Sequence, residues 1–424
     1  MKKKCFDQQQ LLLQWLKYIK VICIKKYNNS IDNVQYIAKK LNLIKWSAFI
    51  ITVSGTNGKG STSTVLESIF LNMGHKVGLY SSPHLFNYYE RIRVNGRYIK
   101  DPIVHIMAFQ RIVLVSKHIP LSYFEFITLA ALLIFQCNNL NIIIMEVGLG
   151  GRLDATNIID ASIAIITNID LEHTYLLGCT RYSIGYEKSG IFRNNIIAIV
   201  GDNDIPYSIY QTANILKVCL NRIKYEWYWF ESKYSWYFAD QKGILSNLPV
   251  PKISLPSAAI AVAAVRTTHF NISKKIIIRS LNEVFLPGRF HTIYQKPRII
   301  VDVAHNAHAT HYLSKKLKRL LTNTRMKIYG IFGILSDKDI RNTVFHLMEI
   351  IDYWYYTILN TNRTATANNI MQVLPKNAIF SVSIKDAIYD LIYKVQKEDI
   401  ILVFGSFFAV SEAMTAIRML YDQV

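Results

Sequence analysis

Residues 50–63 read IITVSGTNGKGSTS. An apolar run of Phe49, Ile50, Ile51 and Val53 breaks off at Gly55-Thr-Asn-Gly58-Lys59-Gly60-Ser61. Helix-compatible sequence follows at once through Val65, Leu66, Ile69 and Phe70. Strand, glycine-rich turn, helix is the order that a phosphate-binding loop needs. Glycines let backbone N–H groups close on a polyphosphate, the helix N-terminus adds positive potential, and Lys59 supplies a full charge. The G-x-x-x-x-G-K-[ST] spacing is not met, because Val53 stands at the first glycine position and Gly60 separates Lys59 from the hydroxyl of Ser61. A glycine turn alone is often only a turn. The strand before it and Lys-Gly-Ser after it favour nucleotide binding.

Outward from this stretch, apolar strands alternate with helical patterns. Lys76–Tyr80 is a strand ending in Ser81-Ser82-Pro83-His84, and 101–139 reads as helical with a turn at Ile119-Pro120. Asn141–Val147 is a buried strand that carries Glu146 and stops in Gly148-Leu-Gly150-Gly151, and Ala161–Asn168 is another. This alternation predicts an α/β fold with a mostly parallel sheet, whose ligands bind beyond the carboxyl ends of the strands. Lys59, Ser82, Glu146 and His173 all fall at such ends. Residues 222–247 alternate aromatic and polar residues, which predicts a small antiparallel flap of two strands on the main sheet. A base-stacking surface is the other reading of those aromatics. An alanine-rich helix over 256–268 follows, then a turn at Leu286-Pro287-Gly288-Arg289-Phe290. We place the boundary there: a large P-loop domain over 1–288 and a smaller, doubly wound α/β domain over 289–424. The latter has strands at 299–303, 326–332, 353–359, 378–382 and 400–404, with helices over 308–321, 337–350 and 385–396. The N-terminal 48 residues read as helical, with an extended break near Asn28 to Asp32.

The chain has 424 residues, 51% of them hydrophobic, and a formal net charge of +20. Such a charge fits nucleic acid, a membrane surface or anionic small substrates. The basic residues are spread along a chain rich in Ile, Lys, Asn and Tyr, and neither an RNP-like nor a zinc-finger-like pattern occurs, so an anionic ligand is preferred over nucleic acid. The five cysteines are widely spaced with no C-x-x-C, which indicates a reducing, cytoplasmic setting rather than a disulfide framework. No apolar run is long enough to span a membrane. Leu12, Trp15, Leu16 and Ile19 share one helical face, so the N-terminus reads as a docked amphipathic helix rather than a signal peptide.

Several residues could carry chemistry. Glu146 is either a carboxylate facing solvent beyond the sheet or a Mg²⁺ ligand or water-orienting base beside phosphates. Asp170 and Glu172-His173 follow the next strand, but a lone histidine is more often structural. Lys188, in Tyr-Glu-Lys-Ser-Gly, reads as an ordinary surface lysine. Asp302-Val-Ala-His305-Asn306 follows a strand of the second domain. It could contact a ribose or an amine, or it could form a helix N-cap cluster with Asn306. Arg289 could clamp phosphates.

Together these stretches are more specific than any one of them. SGTNGKGST (54–62), YSSPHLFNYYERIRVNG (80–96), YFEFITLAAL (123–132), EVGLGGRLDATN (146–157), EHTYLLG (172–178), IGYEKSGIFR (184–193), LPGRF (286–290), DVAHNAHA (302–309), GILSDKDI (333–340) and VFGSF (403–407) cover nearly the whole chain. In this order the chain resembles the folylpolyglutamate synthase family, nearest to its bacterial two-activity members. The related peptidoglycan-precursor Mur ligases share the GTNGK-type loop but lack SSPHL and EVGLGGRLDATN.

The resemblance implies that ATP and two Mg²⁺ ions bind between the two domains. A carboxylate of dihydropteroate or a folate is phosphorylated, and L-glutamate attacks the acyl phosphate. By position it implies Gly58, Lys59, Gly60 and Ser61 for the phosphates; Ser257, Arg289, Asp302 and His305 for the nucleotide; and Ser82, Glu146 and His173 for magnesium. Lys188 would be carbamylated, joining Lys59 and His173 as catalytic residues. Ser122, Tyr123, Phe124 and Glu125, with Leu153, Asp154 and Ala155, would hold the pteroate. It further implies a cytoplasmic monomer with no nucleic-acid or membrane partner. Some positions depart from the family pattern. Ser257 replaces an asparagine, Glu172 and Tyr175 replace aspartates, and Phe408 replaces a histidine. The pterin loop near Ile31-Asp32-Asn33 is short.

Overall fold

The structure, a computed structural model, describes residues 2–23, 30–321 and 326–421. They fall into two compact units, Met1–Phe285 and Leu286–Val424.

In unit 1 the order is α1 Lys2–Ile22, α2 Asp32–Lys40, β1 Phe49–Ser54, α3 Lys59–Asn72, β2 Val77–Tyr80, β3 Ile92–Val94, β4 Arg97–Tyr98, α4 Pro102–Ser116, α5 Tyr123–Gln136, β5 Ile142–Glu146, β6 Ile163–Ile166, α6 Thr174–Leu177, α7 Arg181–Ser189, β7 Ile197–Val200, α8 Tyr207–Ile215, β8 Cys219–Arg222, β9 Trp227–Glu231, β10 Ser235–Asp240, β11 Gly243–Pro249, α9 Leu255–Thr267 and α10 Lys274–Glu283. Eight strands make the main sheet, in the order β4-β3-β2-β5-β1-β6-β7-β8. The strands from β2 to β8 run parallel, and β3 and β4 are antiparallel. The β3–β4 hairpin turns at Asn95 and Gly96, both at positive φ, the turn that Asn-Gly favours.

β1 and β5 are buried along nearly their whole length, which is why they read as continuous apolar runs rather than alternating ones. One face carries α1, α2, α4 and α5. Leu12 and Ile19 of α1 are buried there and Trp15 and Leu16 pack against them, so the N-terminal helix is docked. Of the expected break at 28–32, residues 28 and 29 lie outside the described residues, Ser30 and Ile31 are non-helical, and Asp32 already opens α2.

The flap differs from the reading above. β9, β10 and β11 form a separate three-stranded antiparallel sheet, not a two-stranded extension of the main one. Its buried face holds Trp227, Trp236 and Phe238. The third strand, GILSNLP, has too little β-branched or aromatic character to announce itself.

Unit 2 runs β12 His291–Gln295, β13 Arg298–Asp302, α11 Ala307–Leu320, β14 Ile328–Phe332, α12 Ile340–Phe345, β15 Tyr353–Tyr356, α13 Ala367–Met371, β16 Ile379–Phe380, α14 Ile384–Lys394, β17 Ile400–Phe404 and α15 Phe407–Tyr421. Its six-stranded sheet has the order β12-β13-β17-β14-β15-β16, antiparallel only at β12. The helix expected over 337–350 covers only Ile340–Phe345, which starts at the Asp339 cap and gives way to turns.

Candidate active site

The carboxyl ends of β5, β1, β6 and β7 lie side by side, and the loops leaving them form one crest. At its centre Gly58 takes φ +86° and opens α3, and Gly55 takes φ +143°. A Cβ on Gly55 would lie 1.8 Å from the Thr167 hydroxyl, so only glycine fits. The loop is held from β6. Thr56 N donates to Asn168 O at 2.9 Å and Asn57 N to Asn168 Oδ1 at 2.8 Å, while Thr167 Oγ1 donates to Asn57 O at 2.6 Å. Lys59 Nζ donates to the carbonyls of Gly55 at 2.8 Å and Thr56 at 3.1 Å, which places the ammonium over the loop. Ser61 is buried in the first turn of α3. Ser257, at the start of α9, is also buried, and its hydroxyl would lie 2.8 Å from a Cβ on Gly58.

Glu146 ends β5. It is 4% exposed, which removes the reading of a solvated carboxylate. Both its oxygens lie 3.4 Å from where a Cβ of Gly60 would stand, and Oε2 accepts from Ser82 N at 3.1 Å. Glu146, Gly60 and Ser82 therefore meet at one spot. His173 follows β6 at φ +52° and opens α6, with Nε2 4.0 Å from Glu172 Oε1.

Lys188, read from sequence as an ordinary surface lysine, is 3% exposed near the end of α7. Its pKa is pushed down to about 7, by burial first and by the charge of Lys59 second, with Glu172 opposing. Lys59, Glu172 and Lys188 thus share one electrostatic neighbourhood.

The segments assigned to pteroate look different. Ser122 and Glu125 form a capping box on α5: Ser122 Oγ accepts from Glu125 N at 3.3 Å, and Glu125 Oε2 accepts from Ser122 N at 2.6 Å. Asp154 is buried. Its carboxylate accepts from Gly148 N at 3.0 Å, Leu149 N at 2.9 Å, Thr156 N at 2.9 Å and Thr156 Oγ1 at 2.7 Å, and so holds the glycine turn after β5. Burial raises its pKa against those four bonds. Tyr123, Phe124 and Leu153 are half-buried and Ala155 is buried. The Phe124 ring lies 5.8 Å from that of Tyr80 and covers Gly148.

Unit 2 gathers its own set. Asp302 ends β13 and accepts from Phe290 N and Ala304 N, both at 2.8 Å. Burial raises its pKa, and Arg289 opposes that rise. His305 Nδ1 lies 2.7 Å from Val303 O. The guanidinium of Arg289 lies 5.5 Å and the imidazole of His305 6.3 Å from the Phe407 ring. Asn306 caps α11 by accepting from Ala309 N at 3.0 Å.

Two family models match the chain. One is the Mur ligase middle domain over residues 53–226, and the other is the Mur ligase glutamate ligase domain over 288–407. The chain is 46% identical over 403 residues to a dihydrofolate synthase/folylpolyglutamate synthase of Buchnera aphidicola from Schizaphis graminum, covering 95% of this chain and 96% of that one. It is 41% identical over 406 residues to the Escherichia coli enzyme of that name, covering 96% and 95%. The chain belongs to the bifunctional dihydrofolate synthase/folylpolyglutamate synthase family.

Solved structures agree. That of E. coli FolC with DHPP and ADP matches at TM-score 0.93 and 40% identity, covering 97% of this chain and 98% of that one. A bifunctional folylpolyglutamate synthase/dihydrofolate synthase with Mn, AMPPNP and L-glutamate bound matches at TM-score 0.90 and 39% identity, covering 96% and 98%. Membership in this dihydrofolate synthase/folylpolyglutamate synthase family makes the chain an ATP-dependent ligase of glutamate.

Its metal question is narrower. Among the described residues, no three or more His, Cys, Asp or Glu side chains gather as a ligand set. The buried carboxylate of Glu146, at the end of β5 against the phosphate loop, still fits Mg²⁺, which keeps waters and substrate phosphate oxygens in its shell. Sequence reasoning missed Thr167 and Asn168, which hold the loop. Their one signal was position, at the end of a strand. No helix among the described residues is long and apolar enough to cross a membrane.

Proposed function

We propose that the unit 1 crest joins L-glutamate to dihydropteroate, and to reduced folates, through an acyl phosphate. The observation that carries this is the meeting of Glu146 with Gly60 of the phosphate loop, next to Lys59, whose charge the buried Lys188 feels. The amides of Gly58, Gly60 and Ser61 and the ammonium of Lys59 hold the β- and γ-phosphates of ATP. A substrate carboxylate oxygen attacks the γ-phosphorus in line and ADP leaves. The amine of glutamate then attacks the acyl carbon and phosphate leaves, giving the amide. Both acceptor and donor are anionic, so cations are needed to bring them together. Glu146, Ser82 and His173 would hold Mg²⁺, which supplies charge neutralisation at the transferring phosphoryl group.

Carbamylation of Lys188 belongs to this reading. With a pKa of about 7, the amine is largely neutral in slightly alkaline solution. Its lone pair can then attack CO₂ and release a proton, turning a buried cation into a carboxylate beside Lys59. Arg289, Asp302 and His305 of unit 2 and Ser257 of unit 1 are the assigned nucleotide contacts. Tyr123, Phe124, Leu153 and Ala155 offer the pteroate an apolar and aromatic wall. The domain assignment, 1–288 and 289–424, goes with this division of labour, as do a monomeric state and a cytoplasmic setting.

The test is phosphate release from ATP and Mg²⁺ with dihydropteroate or tetrahydrofolate as acceptor. Release should require both acceptor and glutamate. Release independent of the acceptor would overturn the reading.

A further inference from the structure

We infer that Asp202 is a positioning residue that ties the seat of the phosphate loop to the helix carrying Lys188. The inference rests on the function proposed above and goes beyond it, since Asp202 belongs to none of the motifs that led there.

Residues 167–170, which follow β6, are the seat. Thr167 N donates to Ser54 O at 2.9 Å, Asn168 accepts from Thr56 N and Asn57 N, and Asp170 N donates to Thr56 Oγ1 at 3.0 Å. Three of these four residues therefore bond toward the phosphate loop. The fourth turns the other way: Ile169 N donates to Asp202 Oδ2 at 2.6 Å. Asp202 stands just beyond the end of β7, the next strand of the sheet, and is 9% exposed. Its second oxygen accepts from Arg181 Nη2 at 3.1 Å and from Asp204 N at 2.9 Å. Arg181 opens α7 and also pairs with Asp204 at 3.3 Å. Lys188 lies seven residues further along that helix, on the same face, two turns on.

Ile169 and Ile184 of α7 share a buried apolar cluster, and the Asp202 carboxylate adds a directional polar tie between the same two pieces. A buried carboxylate is costly to hold unless its oxygens are bonded, and here donors from both pieces satisfy it. Asparagine has one acceptor oxygen and can serve one side only. Alanine serves neither and leaves the Ile169 amide buried and unpaired.

The experiment uses the full-length enzyme with Asp202→Asn, Asp202→Ala and Arg181→Met. Amide hydrogen exchange is read at Thr56, Asn57 and Ile169 without substrates, and KM for ATP and kcat are read separately. Faster exchange at Thr56 and Asn57 is expected in both Asp202 variants. KM for ATP should rise about tenfold in Asp202→Ala, the size of one lost charged hydrogen bond, and less in Asp202→Asn. Arg181→Met, which cuts only the α7 side, should lower kcat more than it raises KM for ATP. If Asp202 only stabilises its own turn at 202–204, thermal stability falls while exchange at Thr56 and Asn57, and KM of the folded fraction, stay at wild-type values. That result would overturn the inference. Should Asp202→Ala fold poorly, Asp202→Asn and Arg181→Met carry the same contrast. The exchange arm needs no turnover, so it decides the inference even if the proposed reaction fails its own test.

Discussion

The phosphate crest and the segments assigned to pteroate, at the start of α5 and in the turn after β5, use polar groups in opposite ways. On the crest, Lys59, Glu172 and Lys188 are gathered where like and unlike charges perturb one another, and Glu146 lies against Gly60 of the loop. In the segments assigned to pteroate, Ser122, Glu125 and Asp154 are engaged with their own backbone, in a capping box and a glycine turn. The first arrangement holds charge ready for a ligand, and the second holds shape. The lesson is that a residue matching a family's binding segment can act by building the wall that a ligand meets. A pterin would then be read mainly by contour and ring stacking, with Tyr123, Phe124 and Leu153 as the surface.

Substitutions can break this contrast. Lys59→Ala should cause the largest effect, a loss of about 10²–10³ in kcat/KM with little change in melting temperature, as for removal of one group that stabilises transition-state charge. Steady-state kinetics with a parallel melt decides it; a large fall in stability with modest kinetic loss would put Lys59 in the structural class. Lys188→Ala should also remove most activity, and bicarbonate should leave that variant unchanged while stimulating the wild type.

Asp154→Ala belongs to the other side of the comparison. It strands the amides of Gly148 and Leu149, and denaturant unfolding should show a loss of about 1–3 kcal/mol, with KM for ATP near wild type. Ser122→Ala should cost about 1 kcal/mol, the usual worth of a helix cap, with a smaller kinetic change than Lys59→Ala. A pterin-specific rise in KM beyond the stability loss would return Ser122 to direct binding.

The pH dependence sharpens the charged side. Lys188 loses its proton near pH 7 when folded, whereas an unfolded lysine keeps it to about pH 10.4. Between those values the unfolded chain binds the extra proton, so stability rises with pH, and the cost of burying the ammonium is full only below about pH 7. In CO₂-free buffer, Lys188→Met should therefore gain most over the wild type at low pH, and the gap should close toward pH 10. A gap that is flat with pH would show that the lysine does not titrate in this window.

Much of this was legible in the residues. Apolar runs ending in Glu146 or in Gly-Thr-Asn-Gly-Lys declare both strand and crest, because a parallel strand is buried on both faces and its polar residues collect where it stops. The burial of Lys188 was not legible, since nothing within Tyr-Glu-Lys-Ser-Gly says which face α7 turns inward. Ser122 and Glu125 show the S-x-x-E pattern of a capping box, and Asn95-Gly96 the pattern of a tight hairpin, so both devices were open to reading. The third flap strand and the role of Asp202 depend on partners distant in sequence, which no local pattern encodes.

The hydrogen bonds that shape the phosphate loop also set a schedule. Asn57 is bonded to a residue 111 positions later, and Thr62 to Ser257, 195 positions later. A ribosome that has just finished the GTNGKG motif has made the letters of a nucleotide site but none of its scaffold. Contacts of such long range form late and slowly, because distant segments must first be brought together. A fully bonded phosphate loop in a growing chain therefore reports completion of nearly all of unit 1, and a ligand of that loop would stabilise the unit as a finished object rather than help to start it.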